Sequence, residues 1–167
     1  VRRLLAEGGL RGRFPGVEIA VPISAVLGTD IFDRFLDDND LRYFAIECED
    51  DAEIQARFRA APFPEEAERD VAAFLGRATW PLAVRSSSLL EDRLGTSFAG
   101  KYKSLFLANQ GTRQERLEAL LDAIAEIYAS VFGPDPIDYR AERGLLDVHE
   151  EMGVMIQEVV GTRIGPY

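Results

Sequence analysis

The chain has 167 residues, of which 47% are apolar and 29% are charged, and these proportions are typical of one folded globular domain. Its 29 acidic residues against 19 basic ones give a net charge of -10, which argues against a domain that binds a nucleic-acid backbone or an anionic membrane. A single cysteine excludes an internal disulfide, and the sequence shows no leader and no long apolar run, so we expect a cytoplasmic protein.

Both ends of the sequence have the composition of interrupted elements. The opening residues 1–9 are typical of the last turn of a helix closed by glycine, and residues 159–167 are typical of a strand followed by a turn. We therefore expect residues 1–167 to form a single domain that is truncated at both ends.

The first half of the chain predicts one strand followed by helices. Residues 17–27 are rich in β-branched side chains and predict a strand, with Pro22 marking an edge or a bend. Thr29 is the expected N-cap of a helix, because apolar residues then recur at helical spacing. Those residues are Ile31, Phe32, Phe35 and Leu36. The acid-rich stretch 47–70, broken by prolines, predicts two solvated helical pieces rather than a metal or partner site.

The second half predicts a hairpin, a long helix and a closing strand. Strands at 82–86 and 102–107 flank a glycine-bearing connection, which indicates a hairpin with a long loop. Thr112 and Glu115 form a capping-box pattern at the start of the helix. Its apolar stripe predicts these core residues: Leu117, Leu120, Leu121, Ile124, Ile127, Tyr128 and Val131. Residues 153–160 return to a strand, so the order of elements predicts an α+β fold with helices packed on a mixed or antiparallel sheet.

Residues 84–104 concentrate features that favour phosphate binding. Arg85 stands at a strand end before three serines, and small residues then form a turn whose backbone amides can approach an oxyanion. Both lysines of the chain, Lys101 and Lys103, follow directly. Cations, hydroxyls and exposed amides suit a polyphosphate, because its charge is spread over many oxygens. The spacing matches neither a P-loop nor a dinucleotide fold, so composition alone does not exclude an ordinary surface loop.

The order of residues in this segment resembles a family signature. The stretch VRSSSLLEDRLGTSFAGKYKSLF at residues 84–106 is similar to the signature of the N-terminal nucleotide-binding domain of phosphoenolpyruvate synthase and pyruvate phosphate dikinase. In that family VRSS, ED and SFAG precede a strand in this arrangement. Stretches at 21–36, 132–140 and 154–160 are similar to further parts of the same domain, so the resemblance covers most of the chain.

The resemblance implies the first lobe of an ATP-grasp fold, in which ATP lies between two lobes and a glycine-containing hairpin loop covers its phosphates. The implied ATP ligands are the motif arginine, the loop glycine, the hydroxyl that follows it and the glutamine of a linking strand: Arg85, Gly100, Ser104 and Gln157. Ser97 and Lys101 are further candidates for contacts with the phosphates.

The same resemblance implies that part of the chemistry lies elsewhere. The acidic ligands of Mg²⁺ would follow Tyr167 and the family's lysine would precede Val1, so no metal-ligating or catalytic residue is assigned here. The parent protein is expected to be an ATP-dependent phosphotransferase that acts, through a histidine domain, on a small carboxylate such as pyruvate, while the isolated stretch is inactive. The alternative is a regulatory module that binds nucleotide or a partner protein without catalysis.

Overall fold

The computed structural model describes residues 16–17, 21–88, 102–134, 137 and 151–161. Within these ranges the chain forms five α-helices and one four-stranded antiparallel sheet. This architecture confirms the predicted α+β class and places the helices on one side of the sheet, where the core lies.

The sheet brings distant parts of the chain side by side. Its strands in chain order are β1 (Ser24–Leu27), β2 (Leu82–Ser88), β3 (Ser104–Leu107) and β4 (Met152–Glu158). Across the sheet their order is β1-β4-β2-β3, so the last strand lies between the first two. Strands β2 and β3 pair antiparallel, which confirms the predicted hairpin. Strand β1 begins after Pro22, whose ring removes the N–H that a strand ladder needs.

The helices differ from the prediction in two respects, because the second helix was not predicted and the first has a different N-cap. Their ranges are α1 (Thr29–Asp38), α2 (Leu41–Glu47), α3 (Asp51–Ala60), α4 (Glu65–Leu75) and α5 (Arg113–Ser130). The prediction that Thr29 caps α1 is wrong, because Gly28 holds the N-cap position with an extended backbone and Thr29 is already helical. Within the described part of the chain, none of the helices combines the length and apolarity that crossing a bilayer requires.

Helix α5 begins with the predicted capping box. The backbone N–H of Thr112 donates to Glu115 Oε2 over 2.7 Å, and the Glu115 N–H donates back to Thr112 Oγ1. The bond from the Thr112 backbone holds the pKa of Glu115 below its ordinary value. Leu120 and Ile124 are fully buried as predicted, but Leu121 is only half-buried. It follows Leu120 by one position, which turns its side chain to the flank of the buried face.

An aromatic cluster around Tyr128 fills the core between α1 and α5. The ring centroid of Tyr128 lies 5.0 Å from that of Phe32, 5.5 Å from that of Phe35 and 6.2 Å from that of Phe63. Tyr128 is fully buried, and its hydroxyl has no hydrogen-bond partner among the described residues. Burial therefore raises the pKa of Tyr128.

A polar junction fixes the ends of β2 and β3 that lie away from their connection. The guanidinium of Arg116 donates to the carbonyl oxygens of Leu75 and Ala78. It also donates to Asn109 Oδ1 over 2.8 Å. The Asn109 amide donates in turn to the carbonyl oxygens of Ala78 and Trp80, from a left-handed backbone with φ 56° that asparagine tolerates. Because Trp80 precedes β2 and Asn109 follows β3, these bonds hold the two strands in register.

Candidate functional site

The sheet has two faces of different character. On the face that packs against the helices, Leu82, Val84 and Ile156 are buried. On the other face, which we call the open face, Phe106 is 75% exposed and Val26 is 67% exposed. Alternation along the paired strands assigns these strand positions to the open face: Ser24, Val26, Ala83, Arg85, Ser87, Ser104, Phe106, Gly153, Met155 and Gln157.

The open face brings together the three predicted ATP ligands that the structure describes. Arg85 on β2 lies directly opposite Ser104 on β3. Gln157 on β4 lies opposite Ala83, whereas Arg85 lies opposite Met155, so Gln157 is the diagonal neighbour of Arg85. Directly opposite Cβ atoms are about 4.5–5.5 Å apart and diagonal neighbours about 7–8 Å apart. One small ligand can therefore contact all three side chains.

The charge of the open face differs from that of the chain. Arg85 is the only charged residue among the strand positions of this face, although the net charge of the chain is -10. Arg85 is exposed, and it forms no ion pair with another described residue. An exposed guanidinium without a carboxylate partner can bind phosphate through short, charge-assisted hydrogen bonds.

The other predicted phosphate contacts belong to the connection between β2 and β3. Gly100, Ser97 and Lys101 lie outside the described residues, so their contacts stay predictions. The two described residues that flank the connection, Ser88 and Tyr102, are both buried. The connection therefore leaves and rejoins the sheet from anchored positions.

Lys103 contacts the helical layer instead of the open face. Its Nζ donates to Glu126 Oε1 on α5 over 3.0 Å, and Arg59 on α3 donates to Glu126 Oε2 over 2.5 Å. Burial opposes ionisation of Glu126, but the hydrogen bonds from the two cations outweigh it and hold the pKa of Glu126 below its ordinary value. This pairing ties the residue before β3 to α3 and α5.

A groove between β1 and α4 has the wrong charge for a polyphosphate. It has a volume of about 360 Å³, and its lining includes apolar side chains such as Phe74 and the carboxylates of Asp30, Glu66 and Asp70. Arg34 pairs with Glu66 and lowers its pKa, which leaves the other two carboxylates to repel an anion. In the ranges that the structure covers, no cluster of three His, Cys, Asp or Glu side chains could hold a metal ion.

Comparison with known protein families gives a match that covers most of the chain. The model of the pyruvate phosphate dikinase AMP/ATP-binding domain family matches residues 8–165. The chain belongs to this family. The predicted family is thus confirmed. The open face of this dikinase-type domain, as we call residues 1–167, is therefore a sheet surface within an AMP/ATP-binding domain.

Two curated relatives carry related names. An uncharacterized phosphotransferase of Bacillus subtilis, YvkC, is 26% identical over 149 residues, which cover 87% of this chain and 16% of that protein. The phosphoenolpyruvate synthase of Escherichia coli is 29% identical over 147 residues, which cover 77% of this chain and 18% of that protein. The chain therefore spans less than a fifth of the length of either relative.

Sequence reasoning missed the apolar residues of the open face. Phe106 stands two positions after Ser104 and alternates with the half-buried Leu105 and Leu107. Strict alternation along the predicted strand could have assigned Phe106 to the same face as Ser104. Met155 carried no such local signal, because its place beside Arg85 depends on the register between β2 and β4.

Proposed function

We propose that this dikinase-type domain binds ATP on the open face of its sheet. Family membership supports nucleotide binding. The observation that carries the proposal is the juxtaposition of Arg85, Ser104 and Gln157 on a face whose strand positions hold one cation and no carboxylate. In this arrangement the Arg85 guanidinium and the Ser104 hydroxyl donate to phosphate oxygens, and Gln157 contacts the adenosine side.

The ATP-grasp arrangement belongs to the same proposal. A second lobe would cover the open face, and Gly100, Ser97 and Lys101 would contribute to a loop over the phosphates. The described strand positions of the open face do not fit Mg²⁺, because they offer no carboxylate, the ligand that this hard cation prefers. We therefore propose that residues outside the described strand positions of the open face supply the Mg²⁺ ligands.

For the whole protein we propose an ATP-dependent phosphotransferase of the cytoplasm that acts on a small carboxylate such as pyruvate. The names of the two relatives support the reaction class, and the name of the Escherichia coli relative supports the acceptor. ATP consumption by the full-length protein, with and without pyruvate, tests this assignment. If the full-length protein binds nucleotide but consumes no ATP with any acceptor, the regulatory module is favoured instead.

The variant Arg85→Ala tests the phosphate ligand. A charge-assisted hydrogen bond is worth about 1.5–3 kcal/mol, so the full-length variant should bind ATP at least about tenfold more weakly. Its melting temperature should change little, because Arg85 is exposed and forms no ion pair with another described residue. The matched control is Arg77→Ala, which removes an exposed arginine outside the sheet. A lower melting temperature with unchanged ATP affinity would show that Arg85 is structural.

The isolated domain tests the two-lobe arrangement. Residues 1–167 alone should bind Mg-ATP in the millimolar range or more weakly, because the loss of two or three charged contacts removes several kcal/mol of about 8 kcal/mol for a micromolar ligand. Calorimetry compares this stretch with the full-length protein. Micromolar binding by the stretch alone would contradict the two-lobe proposal and favour a self-contained nucleotide module.

A further inference from the structure

The groove between β1 and α4 is larger than a packing defect. Its volume is about 360 Å³, whereas protein interiors hold few voids larger than a water molecule. Its lining includes the half-buried side chains of Ala25, Ile31 and Phe74. A group that covers these side chains removes apolar surface from water, which is favourable. The groove therefore suits an occupant with an apolar face.

The rim of the groove carries carboxylates that lack a cation. Asp30 on α1 and Asp70 on α4 are exposed, and neither forms an ion pair with another described residue. The third carboxylate of the lining, Glu66, is bound by Arg34 and also lies near Arg69. An occupant with cationic side chains beside apolar ones therefore matches the groove in charge as well as in polarity.

The first residues of the chain have the matching charge. Residues 1–15 hold four arginines and one glutamate, a net charge of +3 in a chain whose net charge is -10. The other long stretches outside the described residues differ from this one. Residues 89–101 hold two acidic and two basic residues, and residues 138–150 hold four acidic and two basic residues. Charge complementarity therefore selects residues 1–15 as the occupant from this chain.

The same stretch carries an apolar face in its sequence. Val1, Leu4 and Leu5 stand at the helical spacing i, i+3 and i+4, where the sequence predicts the last turn of a helix. At 100° per residue Arg2 flanks this face, whereas Arg3 lies on the opposite side of the turn. All five residues lie outside the described ranges, so the face is a prediction from the sequence. An amphipathic turn of this kind suits an apolar groove with an acidic rim.

The connection to β1 is long enough for the stretch to reach the groove. Ala25 on β1 lines the groove, and Gly9 precedes it by 16 positions. Sixteen extended residues span at most about 50–60 Å. A flexible tether of this order gives an effective concentration in the millimolar range. Contacts that are weak between separate molecules are therefore sufficient here.

We propose that residues 1–7 dock in the groove between β1 and α4, with their apolar face on its lining and Arg2 beside Asp70. Asp70 is assigned as the partner because Asp30 lies in the first turn of α1, where the positive end of the helix already stabilises it. The docked turn fixes where the chain enters the domain. The inference goes beyond the proposed function, because Ile156 lines the groove from the side of the sheet that packs against the helices.

Hydrogen exchange in the full-length protein tests the docking. The last turn of a helix frays unless it packs against the domain, so slow exchange of the amides of residues 3–7 reports the docked state. Arg2→Glu and Asp70→Lys should each speed this exchange by about 2- to 30-fold, because each replaces an attraction by a repulsion. The double variant should restore most of the protection, since its reversed charges attract each other again.

Two variants serve as matched controls for the charge reversals. Arg3→Glu reverses a charge on the opposite side of the predicted turn, and Asp122→Lys reverses an exposed carboxylate on α5 that does not line the groove. Both should leave the exchange of residues 3–7 unchanged. Leu4→Ala removes part of the apolar face and should speed this exchange while both charges stay in place.

The outcomes separate the docking from its alternatives. Exchange of residues 3–7 in the wild type at the rate of an unfolded chain would show that another partner, or none, covers the groove. Equal acceleration by Arg2→Glu and Arg3→Glu, or no recovery in the double variant, would overturn the pairing of Arg2 with Asp70. Arg2→Glu leaves the groove itself unaltered, so it decides the test even if Asp70→Lys lowers the melting temperature. Neither result depends on nucleotide binding, so the proposed function stands or fails separately.

Discussion

Replacing Tyr128 by phenylalanine should make the domain more stable. The change removes a buried hydroxyl that has no hydrogen-bond partner among the described residues. It keeps the ring, and with it the contacts to Phe32 and Phe35 at centroid distances of 5.0 and 5.5 Å. The variant therefore isolates the cost of desolvating one oxygen atom.

The magnitude follows from the burial of Tyr128. An unsatisfied buried polar group costs about 1–3 kcal/mol, and the small void left by the oxygen offsets part of the gain. We expect Tyr128→Phe to raise the free energy of unfolding by about 1–2 kcal/mol. For a chain of about 150–250 residues, each kcal/mol corresponds to about 2–4 °C in melting temperature.

The pH dependence supplies a second signature of Tyr128. Burial raises its pKa, so above about pH 10 the unfolded chain releases the proton while the folded chain retains it. The contribution of this group to stability is therefore full below about pH 10 and falls as pH rises above that value. Phenylalanine has no proton to release, so the stability difference between Tyr128→Phe and the wild type should widen at alkaline pH.

Urea unfolding at pH 7 and at about pH 10.5 measures both effects. Tyr43→Phe is the control, because its side chain is 80% exposed and its hydroxyl is hydrated in both states. A Tyr128→Phe variant that is less stable than the wild type at pH 7 would show that the hydroxyl has a hydrogen-bond partner. A stability difference that does not change with pH would show that the hydroxyl ionises in the folded chain as it does in water.

Three further changes test the helical layer by urea unfolding. Leu120→Ala should lower the free energy of unfolding by about 2–5 kcal/mol, and Leu121→Ala by clearly less because Leu121 is only half-buried; equal losses would contradict the assigned face. Thr112→Ala removes the N-cap and should lower the free energy of unfolding by about 0.5–2 kcal/mol. This loss should become smaller as the pH falls through the depressed pKa of Glu115. Glu126→Gln should lower the free energy of unfolding by about 1 kcal/mol at pH 7 and should leave it unchanged well below pH 4, because the depressed pKa of Glu126 confines its contribution to higher pH. A loss of stability that does not depend on pH would exclude the ion pairs as its cause.

Elements with a local signal could be predicted from the sequence, and their boundaries less well. The capping box at Thr112 depends on residues three positions apart, so the start of α5 is confirmed. The cap of α1 was misassigned because Gly28 and Thr29 are both acceptable N-caps. The structure distinguishes them: Gly28 has an extended backbone, with φ -71° and ψ 169°, whereas Thr29 is already helical.

The neighbours of the candidate site depend on strand pairing, so they could be predicted less well than the elements with a local signal. The motif around Arg85 predicts a phosphate ligand, but no local pattern shows which residues of β4 lie beside Arg85. That neighbourhood depends on the pairing of Arg85 with Met155 and of Ala83 with Gln157, which join segments far apart in the chain. The row of Phe106, Ala83 and Gln157 arises only from the pairing of the three strands, so it could not be predicted from the sequence around Phe106 alone.

The position of β4 between β1 and β2 also determines the order of events during synthesis. Strand β1 pairs with β4, and the Ile23 N–H reaches the Glu158 carboxylate across 135 positions of sequence. Closing so long a loop is slow, whereas the helices between these strands form more local contacts. Gln157 takes its place beside Ala83 only after the ribosome has released β4 and the strand has docked. Because a ligand stabilises only the state that binds it, ATP would protect the finished domain and not the nascent chain that lacks β4.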